Sequence, residues 1–169
     1  MSGAQQFRRG VRVALDLGDA RIGVAACDRD GTLAFPVVTI AAGEREVADI
    51  LAVVDEYEPF ELVVGLPTSL SGTDGPAATR IRVRAADLVT ALGERDVTVR
   101  LVDERLTTTQ ATRQLRASGR KGRRQRSVID QAAAVAILDH ALTSERSTGR
   151  APGDVVSAPA VNPEGDPAA

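Results

Sequence analysis

The sequence has no tryptophan, one cysteine, one histidine and only 2% aromatic residues. Each scarcity removes a class of function. So few aromatic rings cannot build a base-stacking platform for single strands, so contact with nucleic acid would rest on charge and backbone. Cys27 alone cannot form an internal disulfide and reads as a small buried hydrophobe, without a catalytic role. A lone histidine with no second His or Cys nearby is a poor zinc ligand, and we read Asp139 and His140 as surface residues. No apolar run approaches the roughly 18 residues of a membrane span, and residues 1–10 have no signal-peptide core. These features lead us to expect a cytoplasmic protein with no membrane contact. At 169 residues and 43% hydrophobic content, we expect one domain with a real core.

The chain is organised around residues 11–28, VRVALDLGDARIGVAACD. Two runs of aliphatic and β-branched residues flank the polar turn Gly18-Asp19-Ala20-Arg21, predicting a hairpin. Alternation puts Val11, Val13 and Leu15 on one face and Arg12, Ala14 and Asp16 on the other. Asp16 is then a carboxylate on a small-residue face, costly to desolvate unless it meets a cation, a donor or water. Gly18 and Gly23 would let a backbone or a phosphate come close to it. The same acid could instead satisfy amides in the turn.

Further strands are expected at 32–40, where Pro36 implies an edge or bulge, at 61–65 and at 97–103. Helices are expected at 44–58, at 74–92 with Asp74 as N-cap, from Thr107 to about Arg116, and from the Ser127 capping signature through Leu142. This order describes an α/β fold, a mixed sheet with an antiparallel meander and parallel strands, flanked by helices. The expected organisation is an arm over 1–10, a domain over 11–146 and a disordered Pro-, Ala- and Gly-rich tail over 147–169.

Two further acids fall at element ends. Asp103 and Glu104 must point to opposite faces, and parity puts Glu104 on the more polar one, although either acid would also suit a helix entry. Asp130 stands three residues after Ser127, where a capping box would also use it. The small residues after Gln131 would let that helix approach a sheet closely. Three carboxylates at strand ends suit hard Mg²⁺ or Mn²⁺, ions that stabilise the oxygens of a phosphodiester in displacement.

The net charge of −2 conceals a segment, RQLRASGRKGRRQR over 113–126, with seven basic residues and no acid. Arg113, Arg116, Arg120, Lys121, Arg123, Arg124 and Arg126 could hold a polyanion beside the carboxylates, or form a solvated loop.

The stretches LDLGDARIGVAACD, VVGLPTSLSGTDGPAA, VDERLTTTQA and VIDQAAAVAILDHAL, in that order, resemble the YqgF/RuvX family, a bacterial group of pre-16S rRNA nucleases and Holliday-junction-resolvase-like proteins. The resemblance spans about 11–143. It implies an RNase H-like fold with a five-stranded mixed sheet, and it carries the family's acidic positions onto Asp16, Glu104 and Asp130 as catalytic and metal-binding residues. The expected activity is divalent-metal-dependent cleavage of structured nucleic acid at the 5′ end of pre-16S rRNA. The alternatives are resolution of branched DNA, which requires a homodimer to cut two strands symmetrically, and a non-catalytic binding or ribosome-assembly factor. In the glycine-punctuated loop 65–76, the amides around Gly72 and Gly75 are expected to meet a phosphate. Actin-like ATPases also begin with a strand ending in DLG, but they need two such domains.

Overall fold

A computed structural model describes residues 6–67, 73–104 and 122–159. Its elements are β1 (Arg12–Leu17), β2 (Arg21–Cys27), β3 (Ala34–Ala41), α1 (Glu46–Tyr57), β4 (Glu61–Leu66), α2 (Pro76–Leu92), β5 (Thr98–Asp103), α3 (Arg123–Thr148) and β6 (Asp154–Val155). The strands form one sheet in the order β3-β2-β1-β4-β5-β6. The β1–β2, β2–β3 and β5–β6 pairs are antiparallel, and β1–β4 and β4–β5 are parallel. The expected mixed sheet thus gains a sixth strand of two residues.

The alternation in β1 sorts two cores. Val13, Leu15 and Leu17 pack with Ile50 and Val54 of α1 and Ile81, Ala85 and Leu88 of α2. Ala14 faces the other way and, with Ala25, Cys27, Val63 and Val102, lies beneath Ala134, Ile137, Leu138 and Ala141 of α3. Alanines on both surfaces let helix and sheet approach closely, which positions the candidate site. Pro36 stands on an edge strand at the register shift opposite Val24 and Ala25, as a residue without an N–H must. Cys27 is buried, with its thiol accepting from the Arg12 N–H, and cannot cross-link two folded chains.

Three boundaries differ from expectation. The last helix begins at Arg123 after Gly122, not at Ser127, and runs to Thr148. Ser127 is not its cap, because its hydroxyl donates to Thr39 Oγ1 on β3. Gly75, not Asp74, caps α2, and Asp74 instead pairs with Arg82. In the segment expected as a tail, Val156 N–H bonds the Val99 carbonyl, and Gly153, at φ 68°, turns so close to Leu101 that a Cβ there would stand 1.9 Å from its carbonyl oxygen. The helix expected over 107–116 and residues 160–169 lie outside the described residues.

The N-terminal segment is anchored by ion pairs that sequence reading missed. Arg8 donates to both carboxylate oxygens of Glu61 and of Glu145, at 2.8–3.1 Å. Arg12 adds a bond to Glu145 and Arg100 one to Glu61. Arg12 also stacks between Phe7 and Phe60, each ring centroid 4.8 Å away. Glu61 and Glu145 are buried, so removing one acid strands buried cations. Glu145→Ala is expected to lower stability by about 3–5 kcal/mol, measurable by urea unfolding. Burial pushes the Glu145 carboxyl up, but the bonds from Arg8 and the charges of Arg12 and Arg8 outweigh it and hold the carboxyl below its ordinary value. A depressed carboxylate stabilises the fold above its unfolded value and loses that contribution as pH falls through the folded one. Acid below the ordinary carboxylate range should therefore release residues 6–10, which proteolysis of the N-terminal segment would detect.

Candidate functional site

Asp16 is fully buried in β1 and pairs in register with Gly23 on β2. On its other side, Leu15 pairs with Val64, which brings Gly65 of β4 beside Asp16. The central carboxylate therefore stands between two residues without side chains, on the face that α3 covers. The main chain of Asp130 and the side chain of Glu104 fill the space over those glycines. A Cβ at Gly23 would lie 1.8 Å from the Asp130 carbonyl oxygen, so the α3 backbone rests directly on β2 there. A Cβ at Gly65 would lie 2.5 Å from Glu104 Oε1 and 2.6 Å from Ile137 Cδ1. Glu104 follows β5 immediately, on the face parity assigned it, and Glu104 and Asp130 are both buried. The half-buried Asp103 falls on the opposite parity. Three elements thus bring Asp16, Glu104 and Asp130 to one sheet face over the adjacent strands β2, β1 and β4.

A buried carboxylate is costly unless a cation or a donor meets it. Arg21 meets Asp130, with Nε donating to Asp130 Oδ2 at 2.8 Å. Arg21 begins β2 two residues before Gly23 and so shares its face. That parity was legible in the sequence, but the residue was read only as part of a polar turn. Arg84, also missed, donates to the Leu17 and Gly18 carbonyls and to Glu46, and so fixes the β1–β2 turn next to Asp16.

The donor set, three carboxylates and no sulfur or imidazole, fits a hard divalent cation such as Mg²⁺ or Mn²⁺. Among the described residues no group of three acidic, His or Cys side chains stands close enough together to hold a metal ion. The fit is one of donor type.

Of the residues expected to bind nucleic acid, Arg124 and Arg126 are exposed on the first turn of α3, and Gly75 caps α2. Arg123 opens α3, and its side chain lies outside the described residues, as do Gly72, Arg113, Arg116, Arg120 and Lys121. Asp139 is exposed and His140 half-buried on α3, and neither joins the carboxylates.

A family model described as "RuvX: Holliday junction resolvase" matches residues 10–144. A Streptomyces avermitilis protein is 54% identical over 152 residues, covering 89% of this chain and 96% of the relative. A Streptomyces coelicolor protein is 56% identical over 156 residues, covering 89% and 90%. Both carry the name "Putative pre-16S rRNA nuclease". Among solved structures, Thermus thermophilus RuvC in complex with a Holliday junction substrate aligns with TM-score 0.52 and 18% identity, over 82% of this chain and 97% of that one. That likeness is one of fold alone, and the fold is RNase H-like.

Proposed function

The chain belongs to the RuvX family, and on that premise we propose that it cuts phosphodiester bonds at the 5′ end of pre-16S rRNA, with Asp16, Glu104 and Asp130 around the scissile phosphate. Divalent-metal dependence is general to RuvC-like nucleases; Mg²⁺ or Mn²⁺ is the proposed ion. The observation that carries the reading is the burial of three carboxylates on one sheet face over Gly23 and Gly65. Asp16, Glu104 and Asp130 would hold the ion, whose chemistry when bound is to stabilise charge on the attacking and leaving oxygens. The protein's own contributions are the rigid strand that fixes Asp16, the helix that sets Asp130 over β2, and Arg21, which orients Asp130.

The acids alone would repel a polyanion, so the basic segment preceding and opening α3 is the counterpart that holds it. Neutralising Arg120, Lys121, Arg123 and Arg124 together is expected to weaken RNA binding and reduce the slope of log affinity against log salt by about 3, at roughly 0.7 per lost phosphate contact on a single strand. Fluorescence anisotropy over a salt series measures it, and a slope unchanged from wild type would remove this segment from the interface.

The family description itself favours a second reading, resolution of a four-way DNA junction. That reading requires a homodimer, which analytical ultracentrifugation would detect. Among the described residues no helix is long and apolar enough to cross a membrane, and cytoplasmic location goes with the rRNA reading.

A further inference from the structure

A groove of about 520 Å³ opens beside Asp130, lined by Ala20, Arg21, Thr39, Ala41, Arg126 and Ser127. Among the described residues its lining holds two arginines and no acid. The neighbouring groove between β3 and α1 holds Asp49 and Glu56 instead, so an anion arriving at the β3 edge meets attraction on one side and repulsion on the other.

We propose that Arg21 and Arg126 form a subsite for one backbone phosphate of the bound strand, next to the scissile position, with Arg21 shared between that phosphate and Asp130. The proposal rests on the nuclease reading for what the strand is, but on this groove for where it lies. Arg126 sits one helical turn before Asp130, on the same side of α3. Arg21 reaches the same place from β2. Its bond to Asp130 uses one of five guanidinium N–H groups, and its partial exposure opens the side chain to the groove. Two guanidiniums converging from a strand and a helix suit the fork geometry by which arginine recognises phosphate.

The wall between them is built before any ligand arrives. Thr39 Oγ1 donates to the Ser127 carbonyl (3.0 Å) and accepts from Ser127 Oγ (2.9 Å) and Gln131 Nε2 (3.2 Å). These bonds lock β3 to the first turns of α3 and set the groove's width. The hydroxyls serve the wall and leave phosphate recognition to the arginines.

The test is binding of a fluorescent RNA hairpin in EDTA, where nothing is cut and cation affinity does not enter. Arg21→Gln and Arg126→Gln are compared with Arg95→Gln, an identical charge change remote from the groove, where Arg95 pairs with Asp55. Each groove variant is expected to weaken binding about tenfold at low salt and to reduce the salt slope by about 0.7. Arg21→Lys should recover the slope while regaining only part of the affinity. Groove variants no weaker than Arg95→Gln overturn the subsite. Cleavage by the wild-type chain reads the nuclease separately: wild-type cutting with normal binding by both groove variants removes the subsite alone. Weakened groove variants with no wild-type cutting keep the subsite and remove the nuclease.

Discussion

Asp16→Asn is expected to lower the rate of nucleic-acid cleavage by about 10³-fold or more while the chain keeps nearly the stability of the wild type. The loss follows from the position of Asp16, buried on β1 between Gly23 and Gly65 and beneath the other two acids. Asparagine preserves the shape but removes the charge that would hold a hard cation at the reacting phosphate, and a single electrostatic stabiliser is worth about 10²–10³ in rate even without a metal. Stability should change little, because asparagine keeps the volume and hydrogen-bonding capacity of this buried side chain. A purely structural Asp16 would behave oppositely, with stability lost and activity falling only in proportion to unfolding. Single-turnover cleavage together with urea unfolding separates the two.

Gly23→Ala is expected to destabilise the protein by about 3 kcal/mol or more and to abolish activity, whereas Gly65→Ala should impair activity with a smaller loss of stability. The two glycines flank the same carboxylate, but different atoms cover them. Above Gly23 is the α3 main chain at Asp130, where a Cβ on residue 23 would stand 1.8 Å from the carbonyl oxygen and 2.4 Å from the carbonyl carbon. Backbone cannot rotate aside, so α3 would have to withdraw by more than an ångström along a core packed with alanines, beyond ordinary overpacking at about 1–3 kcal/mol. Above Gly65 are the ends of Glu104 and Ile137, which can change rotamer. The methyl group there displaces the Glu104 carboxylate and leaves the helix in place. Thermal unfolding and initial rates on both variants check the contrast; equal stability losses would mean that α3 does not rest on Gly23.

Much of this site was legible because strands impose parity. Alternation alone put Asp16 opposite the Val13–Leu15 face, put Glu104 rather than Asp103 on the polar side, and would have put Arg21 with Gly23 had that residue been followed into β2. The alanines after Gln131 announced close helix packing, and the contact at Gly23 is its result. Helix starts were less legible, since Ser127 and Asp130 have the spacing of a capping box. Ser127 instead bonds Thr39, 88 residues away, a partner that no local pattern contains. The anchoring of Arg8 by Glu145 joins residues 137 apart, and β6 is too short to show periodicity. Long-range polar pairing is what the sequence withheld.

The central claim is that the three buried carboxylates make this chain a metal-dependent nuclease acting on a pre-16S rRNA end. Single-turnover cleavage of a 5′ pre-16S rRNA fragment and a four-way DNA junction, each in Mg²⁺ or Mn²⁺ and in EDTA, tests it most directly. The account predicts cutting of the rRNA fragment that requires the divalent ion and disappears in Asp16→Asn. Cutting of the junction alone would contradict the substrate assignment, and tight binding of both with no metal-dependent cutting would contradict the nuclease itself.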